Sequence, residues 1–297
     1  MADIEIRFHK DMLVLSAPVA YTLERQGIDT AHDAEFVNLI EPEAVEDALR
    51  LEVMAGAQCI VTNTEGLCEA RLAHHRLEDK ARDLAAAALE SVRSCKPQHV
   101  ICEVGTCALP LDASDGLSRE QHIEQYRDAV SAFGSDEFDA VLLSGLRSEA
   151  DVRCAVEGAR RATARPVFAV VDLDEEGRAA GASIEELADA LSQADVAGVS
   201  CAAPCDLVCD AVRRLAACVD VPVLVQFVVR AATAAEKKRA MLGAAIPGKP
   251  YALPDDLAHA AIAVRSAGAQ FVRAVGQAAP ACTGALAVAV SGADCLR

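Results

Sequence analysis

Eight short runs rich in β-branched and aliphatic residues recur along the chain, at 12–17, 59–64, 99–105, 140–145, 167–173, 198–201, 223–228 and 271–276. Between them lie Ala-, Glu- and Arg-rich segments with apolar residues at helical spacing, at 42–55, 78–92, 119–132, 148–162, 183–193, 205–217 and 255–267. Strands that alternate with helices form a parallel sheet, because each strand must be returned to the same edge by a crossover. Eight such units predict an α/β fold of one class above others, a single closed (βα)8 TIM barrel; an open doubly wound sheet is the other arrangement they permit. No linker or low-complexity tract divides the chain, so 1–297 reads as one domain.

Helix punctuation agrees with that alternation. Pro42 follows Glu41 at the start of one helix and Gly56 stops it, while Gly268 ends the last long one. Ser118 with Gln121, and Ser183 with Glu186, have the spacing of a capping box. The least regular stretch, 230–254, is longer than an ordinary βα loop, and its EKKR run at 236–239 reads as a solvated helix face.

Hydrophobic residues make up 53% of the chain but aromatic ones only 3%, so the core must be filled by Ala, Val and Leu. A formal net charge of −17 argues against nucleic acid and against anionic membrane surfaces as partners. The opening MADIEIRFHKD is too charged for a secretory signal, and no apolar run approaches a membrane span, which leads us to expect a cytoplasmic protein. Its 12 cysteines are then expected to be free thiols, and no two have CxxC spacing. Three of them, Cys201, Cys205 and Cys209, follow at intervals of four. Cys205 and Cys209 read as small apolar fillers of a helix face, and Cys201 as either such a filler or a reactive thiol at a strand end.

Barrels of this kind bind ligands at the C-terminal ends of their strands. That end collects Ser16, Asn63, Thr64, Glu103, Ser144, Asp172, Cys201 and Gln226. Glu103 and Asp172 are its acids, each readable as a general base or as an Arg-paired structural group.

Several segments resemble the homocysteine S-methyltransferase family, which includes the barrels of cobalamin-dependent methionine synthase and betaine–homocysteine methyltransferase. VLSAPVAYTLERQG at 14–27 is similar to the family's VLDGAMGTxLxRxG, and NLIEPEAV at 38–45 to its NLTxPExV. AGAQCIVTNTEG at 55–66 resembles AGAxIIxTNTFG, and DLDEEGRAAGAS at 172–183 resembles xxDExGRxxxGxS. Cys201 falls on the cysteine of the family's GxNC strand end. The resemblance implies a TIM barrel and methyl transfer to a thiol or related acceptor. It also implies a zinc held by three cysteines, one at Cys201 and two at the end of the last strand, where zinc would lower the pKa of the homocysteine thiol.

Here the last strand offers Val275 and Gly276 in place of those two cysteines, and neither can ligate zinc. Ser16 and Ser144 stand where the family has substrate-holding acids, and Ser200 where it has Asn. Metal ligands are therefore expected to be none, no cofactor is expected, and the substrate is expected to be altered. On this reading Cys201 and Glu103 are the catalytic candidates, and Ser16, Asn63, Thr64, Ser144 and Asp172 the substrate-binding ones. The alternative is a catalytically inactive barrel that binds a methyltransferase or corrinoid partner; a homo-oligomer fits either reading.

Overall fold

Period-2 alternation along every strand explains the architecture: one face fills a barrel and the other meets a jacket of helices. The computed structural model describes residues 4–30, 34–134, 137–242 and 246–294. Cys295 and the outermost residues of the expected 1–297 domain lie outside the described residues. The strands are β1 (Leu13–Leu15), β2 (Cys59–Val61), β3 (His99–Val104), β4 (Ala140–Leu146), β5 (Val167–Leu173), β6 (Val196–Cys201), β7 (Val223–Val229) and β8 (Ala269–Gly276). Each pairs in parallel with the next and β8 closes on β1, giving the (βα)8 TIM barrel that the alternation predicts.

The helices are α1 (Ala20–Arg25), α2 (Val37–Ile40), α3 (Pro42–Ala55), α4 (Glu69–Ala73), α5 (Ala81–Ser94), α6 (Gly116–Ser131), α7 (Glu149–Ala162), α8 (Ile184–Leu191), α9 (Cys205–Cys218), α10 (Ala234–Ala240), α11 (Pro254–Ala267) and α12 (Pro280–Asp294). Five of these, α1, α2, α4, α10 and α12, are additions to the seven predicted from spacing. Most are too short to show a helical period, and α12 is so uniformly small and apolar that it has no polar face to mark one. The expected caps at Gly56 and Gly268 are present, as is the Ser183–Glu186 capping box. The Ser118–Gln121 box is corrected: Asp115 caps α6 one turn earlier by accepting from the Leu117 and Ser118 amides, and Ser118 instead accepts from the Asp112 amide. Within the EKKR run, Glu236 closes a capping box with Thr233 and the three cations are exposed, as a solvated face requires.

Inside the barrel, Leu13, Leu15, Ile101, Leu142, Phe168, Val170, Leu224 and Phe271 form a closed apolar cluster. Phe8, just after a 3-10 turn (Ile4–Arg7), plugs the N-terminal end; its ring centroid lies 6.2 Å from that of Phe168 and 5.9 Å from that of Phe271. Gly198 leaves the room Val170 needs, since a Cβ there would lie 2.6 Å from Val170 Cγ2. Two residues further along six of the strands, β3 to β8, the interior turns polar. Ile101 is followed by Glu103, Leu142 by Ser144, Val170 by Asp172, Gly198 by Ser200, Leu224 by Gln226 and Phe271 by Arg273. The same face that packs the core thus builds the floor of the mouth.

Candidate functional site

A buried ion pair spans the top of the apolar core. Arg273 on β8 donates from Nη1 to Glu103 Oε1 at 2.6 Å and from Nη2 to Glu103 Oε2 at 2.8 Å, while its Nε donates to the Ser16 carbonyl at 2.9 Å. Arg273 is 1% and Glu103 5% exposed, so both charges depend on each other for the solvation they have lost. Such a bidentate fork fixes the carboxylate plane and occupies both of its oxygens. Glu103 is also held through its backbone: its amide donates to Thr62 Oγ1 at 3.0 Å and its carbonyl accepts from Thr64 Oγ1 at 2.7 Å.

Above this floor opens a cavity of about 330 Å³, whose lining includes Glu65, Glu103, Ser144, Asp172, Ser200 and Gln226, with Val275 and Gly276 on the far wall. Strand register sets Asp172 beside Ser200, Ser200 beside Gln226 and Gln226 beside Arg273, so these four form one continuous arc at a single height. Gly145 follows Ser144 with φ +72, where the β4–β5 register slips; a bulge there needs the left-handed conformation that glycine adopts without strain. Desolvation raises the pKa of Asp172, against the opposing pull of the Ser200 hydroxyl and the charge of Arg147. Glu65 stands at the rim, reached by solvent yet walled in, and its pKa is raised by desolvation first and then by the negative charge of Glu103. The hydroxyl of Ser144 and the amide nitrogen of Gln226 are buried without a hydrogen-bond partner.

The seven predicted site residues divide into two groups. Glu103, Ser144 and Asp172 come together around the mouth. Ser16 is spent on strand pairing: its Oγ accepts from the Val61 amide at 2.9 Å. Asn63 donates to the Ala34 carbonyl at 2.7 Å and to Asn38 Oδ1 at 3.2 Å, and Asn38 returns a bond to the Asn63 carbonyl at 2.7 Å. Two of the sequence segments singled out above therefore interlock through a pair of asparagines. Thr64 pins the end of β3 through Glu103, as above. Cys201 has outward parity and joins the cluster between strands and helices; its sulfur accepts from the Ala203 amide at 3.2 Å and faces the Asp174 carbonyl at 3.6 Å. Burial pushes its thiol pKa up, which favours the neutral form over the thiolate that a nucleophile or zinc ligand must be. Cys205 and Cys209 lie on α9 with their sulfurs 3.8 Å apart, half-buried and buried respectively.

Arg273, Glu65 and the unpaired state of Gln226 escape a reading of the sequence. Arg273 left one signal: a lone cation in the otherwise apolar run 271–276. A zinc of the three-cysteine type does not fit the donors here, because Val275 and Gly276 supply none and the Cys201 sulfur faces away from the cavity. Among the described residues no cluster of three His, Cys, Asp or Glu side chains has metal-holding geometry.

Fold and mouth together define a barrel with a small polar site at the C-terminal ends of its strands. The homocysteine S-methyltransferase family model matches residues 13–274, and the chain belongs to that family, whose reaction class is methyl transfer and whose substrates are small molecules. Among solved structures, the metallated form of the homocysteine methyltransferase MmuM from Escherichia coli superposes with a TM-score of 0.76 at 17% identity, covering 94% of this chain and 96% of that one. Its oxidized form gives 0.72 at 18% identity, covering 94% and 96%. At that identity the likeness speaks for the fold. No curated protein matches the chain. Among the described residues no helix is long and apolar enough to cross a membrane.

Proposed function

We propose that this barrel transfers a methyl group to a small polar acceptor held at its mouth, and that the acceptor is not a zinc-bound homocysteine thiol. The observation that carries the reading is the direction of the side chains: the cavity is lined by Asp172, Ser144, Ser200 and Gln226, while the strand-end sulfur of Cys201 packs into the layer outside the barrel. Asp172 is the proton acceptor. Desolvation raises its pKa above the ordinary carboxylate value, and neither of its oxygens is committed to an arginine fork. As the acceptor atom bonds to the methyl carbon its proton passes to Asp172, and the electron pair of the breaking bond leaves with the onium atom of the donor. Ser144, Ser200 and Gln226 hold the acceptor; Arg273 fixes Glu103, which acts as a positioning residue, and Ser16, Asn63 and Thr64 fix the frame around them. Cys201 is structural in this reading, and no resident zinc or other cofactor takes part.

Labelled methyl transfer tests it. With homocysteine, zinc and a 13C-methyl betaine or sulfonium donor, no labelled methionine forms. With chelator-treated protein and a metabolite extract as acceptor pool, labelled product appears that Asp172→Asn abolishes and Cys201→Ser preserves. Zinc-dependent methionine formation that Cys201→Ser removes would overturn the proposal. Absence of label in both arms rejects methyl transfer and supports the silent, partner-binding barrel.

A further inference from the structure

The two unpartnered atoms of the mouth restrict what it can hold. Gln226 is 3% and Ser144 6% exposed, and both line the cavity. A fold seldom leaves a buried donor unpaired, and where it does a ligand commonly completes it. The free nitrogen of Gln226 donates and calls for an acceptor, whereas the Ser144 hydroxyl can give or take. Asp172, two strands along the same level, is an acceptor that calls for an N–H or a cation. With adjacent strands about 4.8 Å apart, the Gln226 and Asp172 backbones stand roughly 10 Å from each other. Ser200 stands between them on β6, so a small ligand seated over it can reach both side chains.

Charge decides what kind of acceptor meets Gln226. Glu65, Glu103 and Asp172 are all on the lining, and the buried guanidinium below is already engaged by Glu103 and the Ser16 carbonyl. Arg71 lies off the lining, 3.5 Å from Glu65, and Arg147 faces a separate cavity. A ligand carboxylate would therefore meet three acids and no cation on the lining, with Arg147 acting on Asp172 only from outside it, so an uncharged acceptor is the better match.

We propose that the mouth binds a neutral carboxamide, lactam or ureide. Its carbonyl oxygen accepts from Gln226 Nε2, its N–H donates to Asp172, and Ser144 closes the polar edge. This rests on the reading of the mouth as the small-molecule site and names the chemistry of its occupant.

Three matched five-membered rings test the class by ligand-observed NMR titration: 2-pyrrolidinone, its carboxylated analogue pyroglutamate, and pyrrolidine, a cation without the carbonyl. The lactam saturates, pyroglutamate binds about ten-fold more weakly or worse, and Gln226→Leu and Ser144→Ala each weaken the lactam by about ten-fold while retaining the parent's circular dichroism. Lactam binding also fades at acidic pH, as Asp172 takes up a proton at its raised pKa. Binding of pyrrolidine or pyroglutamate as tight as the lactam's, and dependent on Gln226, overturns the class and leaves the site standing. If no ring gives a signal that Gln226→Leu or Ser144→Ala reduces, class and site both fall.

Discussion

Removing one half of the Arg273–Glu103 pair should unfold the barrel more readily than any surface change, and removing both halves together should cost far less. The Glu103→Gln variant leaves a guanidinium, 1% exposed, without a counter-charge. Breaking a buried pair in this way typically costs about 3–5 kcal/mol. For a chain of this size 1 kcal/mol moves the melting point by about 2 °C, so a fall of about 6–10 °C is expected. Arg273→Met strands the Glu103 carboxylate and also frees the Ser16 carbonyl, which places it at the upper end of that range. The double variant Glu103→Leu/Arg273→Met replaces both charges with apolar volume, and such swaps are often neutral. Thermal and urea melts of the parent, Glu103→Leu, Arg273→Met and the double variant close a double-mutant cycle with a coupling energy of about 3 kcal/mol or more. A Glu103→Gln protein within about 1 kcal/mol of the parent, or a cycle with no coupling, would refute the mutual dependence of these charges.

Two further outcomes follow from the same geometry. Gln226→Leu removes an unpaired buried donor whose burial costs about 1–3 kcal/mol, so the variant should melt higher than the parent even as it loses ligand; a lower melting point contradicts the unpaired state. Glu52 accepts from the Ala17 amide at 3.0 Å and from the Thr283 hydroxyl at 2.5 Å, yet desolvation outweighs both and raises its pKa. A raised acid contributes stability that is complete below its ordinary value of 4.5 and is lost as pH rises through the higher folded value. Urea midpoints of Glu52→Gln should therefore fall less steeply than the parent's as pH rises from 4.5 to that folded value, and an unchanged slope would count against the buried acid as the cause.

The fold was legible because it rests on periodicity, which a chain displays openly: apolar runs separated by amphipathic segments admit few topologies. Locating the mouth at strand ends was equally legible, and it found Glu103, Ser144 and Asp172. Parity was the hidden variable. A shift of one residue along a strand turns a side chain from cavity to helix layer, so Ser200 faces the mouth and Cys201 its outside, although they are neighbours. Asn63 and Thr64 lie beyond the end of β2, where turn geometry rather than strand period aims the side chain. Arg273 could be seen only as an oddity, because its meaning lies in a partner 170 residues away.

Zinc bound per chain is the most direct measure of the central claim, that the mouth of this barrel works through carboxylate, hydroxyl and amide groups over a buried ion pair rather than through a thiolate-held metal. Purified protein equilibrated with zinc, desalted and assayed by atomic emission should retain substoichiometric metal, and Cys201→Ser should not change the amount. One tightly held zinc per chain that vanishes in Cys201→Ser would contradict it.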